Sequence, residues 1–157
     1  MARACGGLER RTVTVTSEAA SYVERGVMTE GQDAFLREQN LCVLATGRKD
    51  GSPQVSTVYY HYDGHDLVIS ATTDRAKYVN AMRQPRVALV INDGRKQCIV
   101  YGRAEGVPDD PERLRLTRRA REHRGAPVPD DATLAAELTR DKRAMLRITI
   151  DRVYAND

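Results

Sequence analysis

Residues 41–62 read LCVLATGRKDGSPQVSTVYYHY, and this stretch decides the fold. Residues 41–46 are apolar and β-favouring, Asp50-Gly51 is a strong turn signal, and residues 54–62 are rich in β-branched and aromatic side chains. The pattern predicts a β-hairpin. A second turn at Asp63-Gly64 leads into residues 67–71, giving three antiparallel strands as a meander. Downstream, Thr72, Thr73 and Asp74 offer caps for a helix over residues 75–83 that Pro85 stops. Residues 87–92 and 97–107 form another strand pair around Asp93-Gly94, with Gly102 and Gly106 marking bulges or tight curvature. Two helices follow, over 112–124 after Asp110-Pro111 and over 132–140 capped by Asp131, and residues 144–150 are the last strand. Upstream, residues 32–39 read as a short helix with a left-handed stop at Asn40. Residues 12–16 alternate like a strand, and 18–25 suit a helical turn or two. The expected architecture is mostly β (α+β), a closed or nearly closed six-stranded antiparallel barrel with short flanking helices, over residues 30–157 behind an N-terminal extension, 1–29.

The 157 residues are 41% hydrophobic, enough for one compact domain. There is no Trp, one Phe and seven Tyr, so the core must be built from Val, Leu, Ile and Ala, which favours sheet. Lys and Arg number 25 against 22 Asp and Glu, a net charge of +3, which excludes the extreme basicity of a dedicated nucleic-acid binder. No apolar run approaches the ~20 residues of a membrane span, and the expectation is a soluble, cytoplasmic protein with no membrane or nucleic-acid partner. Cys5, Cys42 and Cys98 are too few and too widely spaced for a disulfide framework.

The common signatures of hydrolases, phosphate-loop enzymes and metalloenzymes are absent, and no residue is singled out as catalytic. His61, Asp63, His65 and Asp66 are metal-ligand types, but they flank a hairpin turn and no metal is expected. His123 falls on an arginine-rich helix, whose Arg113, Arg115, Arg118, Arg119, Arg121 and Arg124 are spread around it as on a solvated face, with phosphate contact as the other reading. The most informative segment is Ser70-Ala71-Thr72-Thr73-Asp74-Arg75-Ala76-Lys77. It places hydroxyls, open backbone amides and two cations where a strand ends and a helix begins, a plausible phosphate cradle. An ordinary capped helix with exposed basic residues is the alternative, although cations at a helix N-terminus are unfavourable unless an anion compensates them. Gln54, Ser56 and Thr57 add a polar cluster on the preceding strand, suited to bracket a flat heteroaromatic ring or to face solvent.

LCVLATGRKDGSPQVSTVYY at 41–60, DRAKYVNAMRQPRVAL at 74–89 and DKRAMLRITIDRVY at 141–154 together resemble the flavin and deazaflavin oxidoreductases that share the split β-barrel of pyridoxamine phosphate oxidase. The last segment resembles the F420-dependent branch common in actinobacteria. The resemblance implies a homodimer with its cofactor sites between the two barrels and a small-molecule substrate. It places Arg75, Ala76 and Lys77 at the cofactor phosphate with Asn80 supporting that turn. Gln54, Ser56, Thr57 and Val58 would line the ring system, and Ser70, Ala71 and Thr72 would approach it. Lys96, Gln97, Arg143 or Tyr154 of the second subunit would close the site, and Arg48, Lys49, Arg95 and Lys96 could meet an anionic cofactor tail or only solvent. The oxidases' substrate-binding pattern is not found in residues 147–154, which argues against vitamin B6 oxidation. The implied activity is hydride transfer from reduced F420 to an organic acceptor. The alternatives are an FMN-binding oxidoreductase of the same fold and a non-catalytic flavin- or deazaflavin-binding protein.

Overall fold

The computed structural model describes residues 20–156, so the strand expected over 12–16 and Cys5 lie outside the described residues. Seven strands form one antiparallel sheet: β1 (Leu41–Gly47), β2 (Pro53–Tyr59), β3 (His61–Tyr62), β4 (Leu67–Thr72), β5 (Arg86–Asn92), β6 (Gln97–Val107) and β7 (Arg143–Asn156). Four short helices flank it: α1 (Glu30–Glu38), α2 (Ala76–Arg83), α3 (Glu112–His123) and α4 (Asp131–Arg140).

The sheet order is β2-β1-β5-β6-β7-β4-β3, which puts β2 and β3 at opposite edges although only Tyr60 separates them in the chain. A flat sheet cannot satisfy both placements, so this one curls until its edges meet at Tyr60. The run over 54–62 is therefore a bent strand that changes partner, from β1 on one side of Tyr60 to β4 on the other. Counted as one strand it gives the expected six; the break in pairing makes seven. The meander is corrected by the same observation: both hairpins form, but β2 and β4 approach each other without pairing. Tyr60 is 2% exposed. Its backbone N–H donates to the Asn40 carbonyl at 2.9 Å and its hydroxyl to the Leu36 carbonyl at 2.8 Å.

Inside the barrel Leu44, Leu67, Ile69, Leu89, Ile91, Leu146 and Ile148 are fully buried, an aliphatic core as the composition implies. Tyr22 and Met28, ahead of α1, pack into the same core, and the Tyr22 hydroxyl accepts from the Ile150 N–H at 3.1 Å. A second cluster, Val68, Val107, Leu116, Ala120 and Met145, glues α3 to the outer face of β4 and β7. The expected bulge at Gly102 is present, where a side chain would collide with the Thr149 carbonyl. Gly106 is not a bulge: its pairing with Leu146 is regular, and the missing side chain leaves room for Tyr78 and Met82 of α2.

Several helix boundaries differ for local reasons. α1 begins at Glu30 because Thr29 and Gln32 form a reciprocal capping box, and it ends through an extended Gln39 rather than a left-handed Asn40. Asp110 does not cap α3; its carboxylate takes the Arg113 guanidinium in two 2.9 Å bonds. Asp130, not Asp131, caps α4. Cys42 and Cys98 are buried, and burial pushes the Cys42 thiol up to about 12, leaving it inert at neutral pH. Among the described residues no helix is long and apolar enough to cross a membrane.

Candidate functional site

A groove of about 390 Å³ runs between the β2–β4 edge, the start of α2 and the α3–α4 hairpin. Val58, Tyr59, Ser70, Lys77, Arg124 and Met145 line it, and Arg143, also lining it, is the register partner of Thr72 just before α2. Its position follows from the barrel closure, which brings β2 and β4 together, and from the second apolar cluster, which holds α3 against β4 and β7.

At the groove end of α2 the helix is left open. The N-cap is Arg75, with no side-chain cap, and the first turn carries no acidic residue. Thr72, Thr73 and Asp74 do not cap it as expected; the Thr72 hydroxyl donates instead to Asp74 at 2.7 Å. The Ala76 and Lys77 amides have no acceptor among the described residues, and neither Arg75 nor Lys77 is in an ion pair. Open amides, the positive end of a helix and two uncompensated cations form an anion site in chemical terms.

The expected cofactor residues divide into three groups. Val58, Ser70 and Lys77 line the groove, and Arg75 and Ala76 are exposed beside it. Gln54, Ser56 and Asn80 are engaged in a network instead. The Thr46 hydroxyl donates to Gln54 Oε1 at 2.9 Å, Gln54 Nε2 donates to Ser56 at 2.9 Å, and Asn80 Nδ2 lies 3.3 Å from Thr46 and 3.4 Å from Gln54. Arg83 closes the network, donating to Asn80 at 2.9 Å and to the Gly47 carbonyl at 2.7 Å. These bonds fasten α2 to the β1–β2 hairpin and so fix the height of Lys77 over the groove. Thr57 is exposed and belongs to neither group, Ala71 is buried in the barrel, and Thr72 holds Asp74. Of the residues expected from a second subunit, Arg143 lines the groove of its own chain, while Lys96 and Gln97 border another recess and Tyr154 stacks edge-on against Tyr101 at 5.9 Å. Nothing in the sequence singles out Thr46 or Arg83.

The arginine-rich helix is neither a plain solvated face nor a phosphate helix over most of its length. Arg113 pairs with Asp110, Arg115 with Glu112 and Asp66, Arg118 with Asp131, Arg119 with Asp63 and Asp66, and Arg121 with Glu137. Asp63 and Asp66 thus act as anchors for α3. Hydrogen bonding from Arg115, aided by Arg147, pulls the Glu112 carboxyl down to about 2.

His61 sits beneath the last turn of α3, 6% exposed, with both ring nitrogens unpartnered and its ring 4.7 Å from that of His123. Burial lowers its basicity, and His123, Arg119 and Arg124 add to the effect while Asp63 opposes it. A histidine held neutral by the fold binds its proton more readily when unfolded. Stability is therefore expected to fall as pH drops below the ordinary imidazole value of 6.5. Urea midpoints measured between about pH 7 and pH 5 should fall less in His61→Leu than in the parent; identical slopes contradict the assignment.

The sequence profile of pyridoxamine 5'-phosphate oxidase matches residues 28–157. Among solved structures, the conserved hypothetical protein Rv2991 of Mycobacterium tuberculosis is 25% identical, aligns over 83% of this chain and 86% of its own, and has a TM-score of 0.71. An F420 reductase is 27% identical over 81% of this chain and 98% of its own, with a TM-score of 0.63. HutZ, the heme storage protein of Vibrio cholerae, shares the fold at a TM-score of 0.61 and 15% identity, over 79% of this chain and 91% of its own. The curled antiparallel sheet closed at Tyr60 is thus the split barrel that the sequence motifs imply, and the chain belongs to the pyridoxamine 5'-phosphate oxidase family.

Proposed function

We propose that this protein is an F420-dependent reductase that works as a homodimer, each groove being completed by the partner barrel. The open N-terminus of α2, with Lys77 in the groove and Arg75 beside it, carries the reading: it offers amides and cations to the phosphate of a flavin-type cofactor. Likeness to an F420 reductase at 27% identity supports the deazaflavin over FMN. When bound, reduced F420 supplies the hydride for an organic acceptor. The chain's own part is to hold the phosphate at Lys77, to set a ring system against Val58, Ser70 and Met145, and to keep α2 in place through the Thr46–Gln54–Asn80–Arg83 network.

The case for a dimer rests on the outer face of the barrel. Register places Val55, Ala45, Ala88 and Tyr101 in one row across β2, β1, β5 and β6, and Thr57, Val43, Val90, Ile99 and Tyr154 in the next, reaching β7. The middle of this face is apolar, with Arg152 opposite Tyr101 and the Arg86–Arg103 pair at its margin, although Val55 is 63%, Tyr59 60%, Tyr154 51%, Leu41 45% and Tyr101 44% exposed. Antiparallel strands that are apolar on both faces are normally covered on both, and a second copy supplies the cover symmetrically. Val55→Asp with Tyr101→Asp should convert a particle of twice the chain mass into a monomer by light scattering; an unchanged dimer places the interface elsewhere.

Equilibrium titrations with oxidised and reduced F420 and with FMN test the cofactor. Binding of F420 with weaker or no binding of FMN supports the proposal; tight FMN binding without F420 binding overturns it in favour of an FMN-binding relative. F420 binding without reduction of any acceptor in a panel favours a storage role.

A further inference from the structure

Buried polar side chains are almost always hydrogen-bonded, so a histidine with neither ring nitrogen engaged calls for a reason. His61 is such a residue, and its one ring contact is with His123, tilted by 54°. The groups around it are adverse to a proton. From α3 it faces Arg119, His123 and Arg124. From β4, where Val68 is its register partner, it faces no ionisable residue. The charged residues of α1 that reach β3, Asp33 and Arg37, are taken up by Tyr62. Asp63 is the carboxylate that acts on His61, and it is already held by the Arg119 guanidinium and by the His65 and Asp66 N–H groups. A protonated imidazole in this place would bury two donors without an acceptor, beside two guanidinium groups.

The helix above it is fastened unevenly. Arg113, Arg115, Arg118, Arg119 and Arg121 are each paired with a carboxylate, and Leu116 and Ala120 pack on Val68 and Met145. Beyond Arg121 the side chains of Glu122, His123 and Arg124 form no ion pair or hydrogen bond among the described residues. The side-chain contact given to this end of α3 is His123 on His61. The same end forms part of the groove wall, through Ala120, Arg121 and Arg124.

We propose that the His61–His123 contact is a pH-operated latch on the groove: while His61 is neutral the end of α3 is packed down, and a proton on His61 releases residues 122–126 and with them the wall at Arg124. The latch is local, in a protein that stays folded, and it does not depend on which ligand the groove takes. By linkage, a ligand that binds only the closed groove is held more weakly at acid pH. The direction follows from the chemistry of the imidazole. Packed, His61 is less basic than usual; released, it takes its proton at the ordinary value of 6.5, so acid favours the released form. One such group multiplies the opening equilibrium about tenfold between about pH 7.5 and pH 5.5.

Amide hydrogen exchange of the cofactor-free protein, corrected for the intrinsic pH dependence of exchange, reads the latch directly. The reporters are the Arg124, Gly125 and Ala126 N–H groups, which donate to the Arg121, Glu122 and Arg121 carbonyls at 3.1, 3.0 and 2.9 Å. Exchange through a local opening is insensitive to low urea, whereas exchange through global unfolding rises with it. The expected result is an about tenfold loss of protection at these three amides from pH 7.5 to pH 5.5, insensitive to low urea and abolished in both His61→Leu and His61→Phe. Three results overturn the proposal: protection that does not change with pH, a loss of the same size in the two variants, or a loss that grows with low urea and therefore reports global unfolding.

Discussion

Alanine at both Arg75 and Lys77 lowers cofactor affinity by about 2 kcal/mol or more, roughly thirtyfold, while leaving the barrel folded. Neither side chain is in an ion pair or in the core, so their removal takes nothing from the fold. The structure also divides the effect. Lys77 lines the groove whereas Arg75 is exposed beside it, so Lys77→Ala alone should account for the larger share. Fluorescence titration gives the affinities, and urea midpoints confirm that stability is unchanged. Parent-like affinity in the double variant would show that the phosphate binds elsewhere.

Tyr60→Ala is expected to destabilise the protein by ~3 to 5 kcal/mol, the range for removing a buried aromatic side chain. The position is special because Tyr60 is the single residue between the two edges of the sheet, and its backbone and hydroxyl bonds tie that junction to the end of α1. Tyr60→Phe keeps the ring and loses only the bond to the Leu36 carbonyl, leaving a buried acceptor unpaired, for a cost of ~1 to 3 kcal/mol. Urea unfolding of both variants gives the comparison. Similar, small losses in the two would mean that the junction does not depend on the ring.

Both hairpins, α2 and the long β6 were legible because each is local: an Asp-Gly turn between β-favouring runs, or a helical period ended by proline. What the sequence hid is non-local. No residue in the 54–62 run signals that the strand changes partner at Tyr60, since both halves keep strand composition and only the sheet order separates them. The site follows the same division. Lys77 was recognisable from its place at a helix start, whereas Gln54, Ser56 and Asn80 carry polar groups equally suited to a ligand or to one another, and in the fold they bond with Thr46 and Arg83. Arg143 was expected at the site from a second subunit and Arg124 only among the arginines of one helix, whereas both line the groove of their own chain. In sequence Arg124 resembles its neighbours, and only the pairing of those neighbours with carboxylates sets it apart.

On the proposed reading, the groove between β2, β4, α2 and the α3–α4 hairpin holds the cofactor. Its most direct test is a crystal structure of the protein grown with F420. The expected result is a dimer packed through the β2-β1-β5-β6 face, with the cofactor phosphate at Lys77 and the open amides of α2, and the ring system against Val58 and Ser70. A cofactor bound instead at the recess beside Tyr101 and Tyr154, or one that leaves Lys77 untouched, would contradict it.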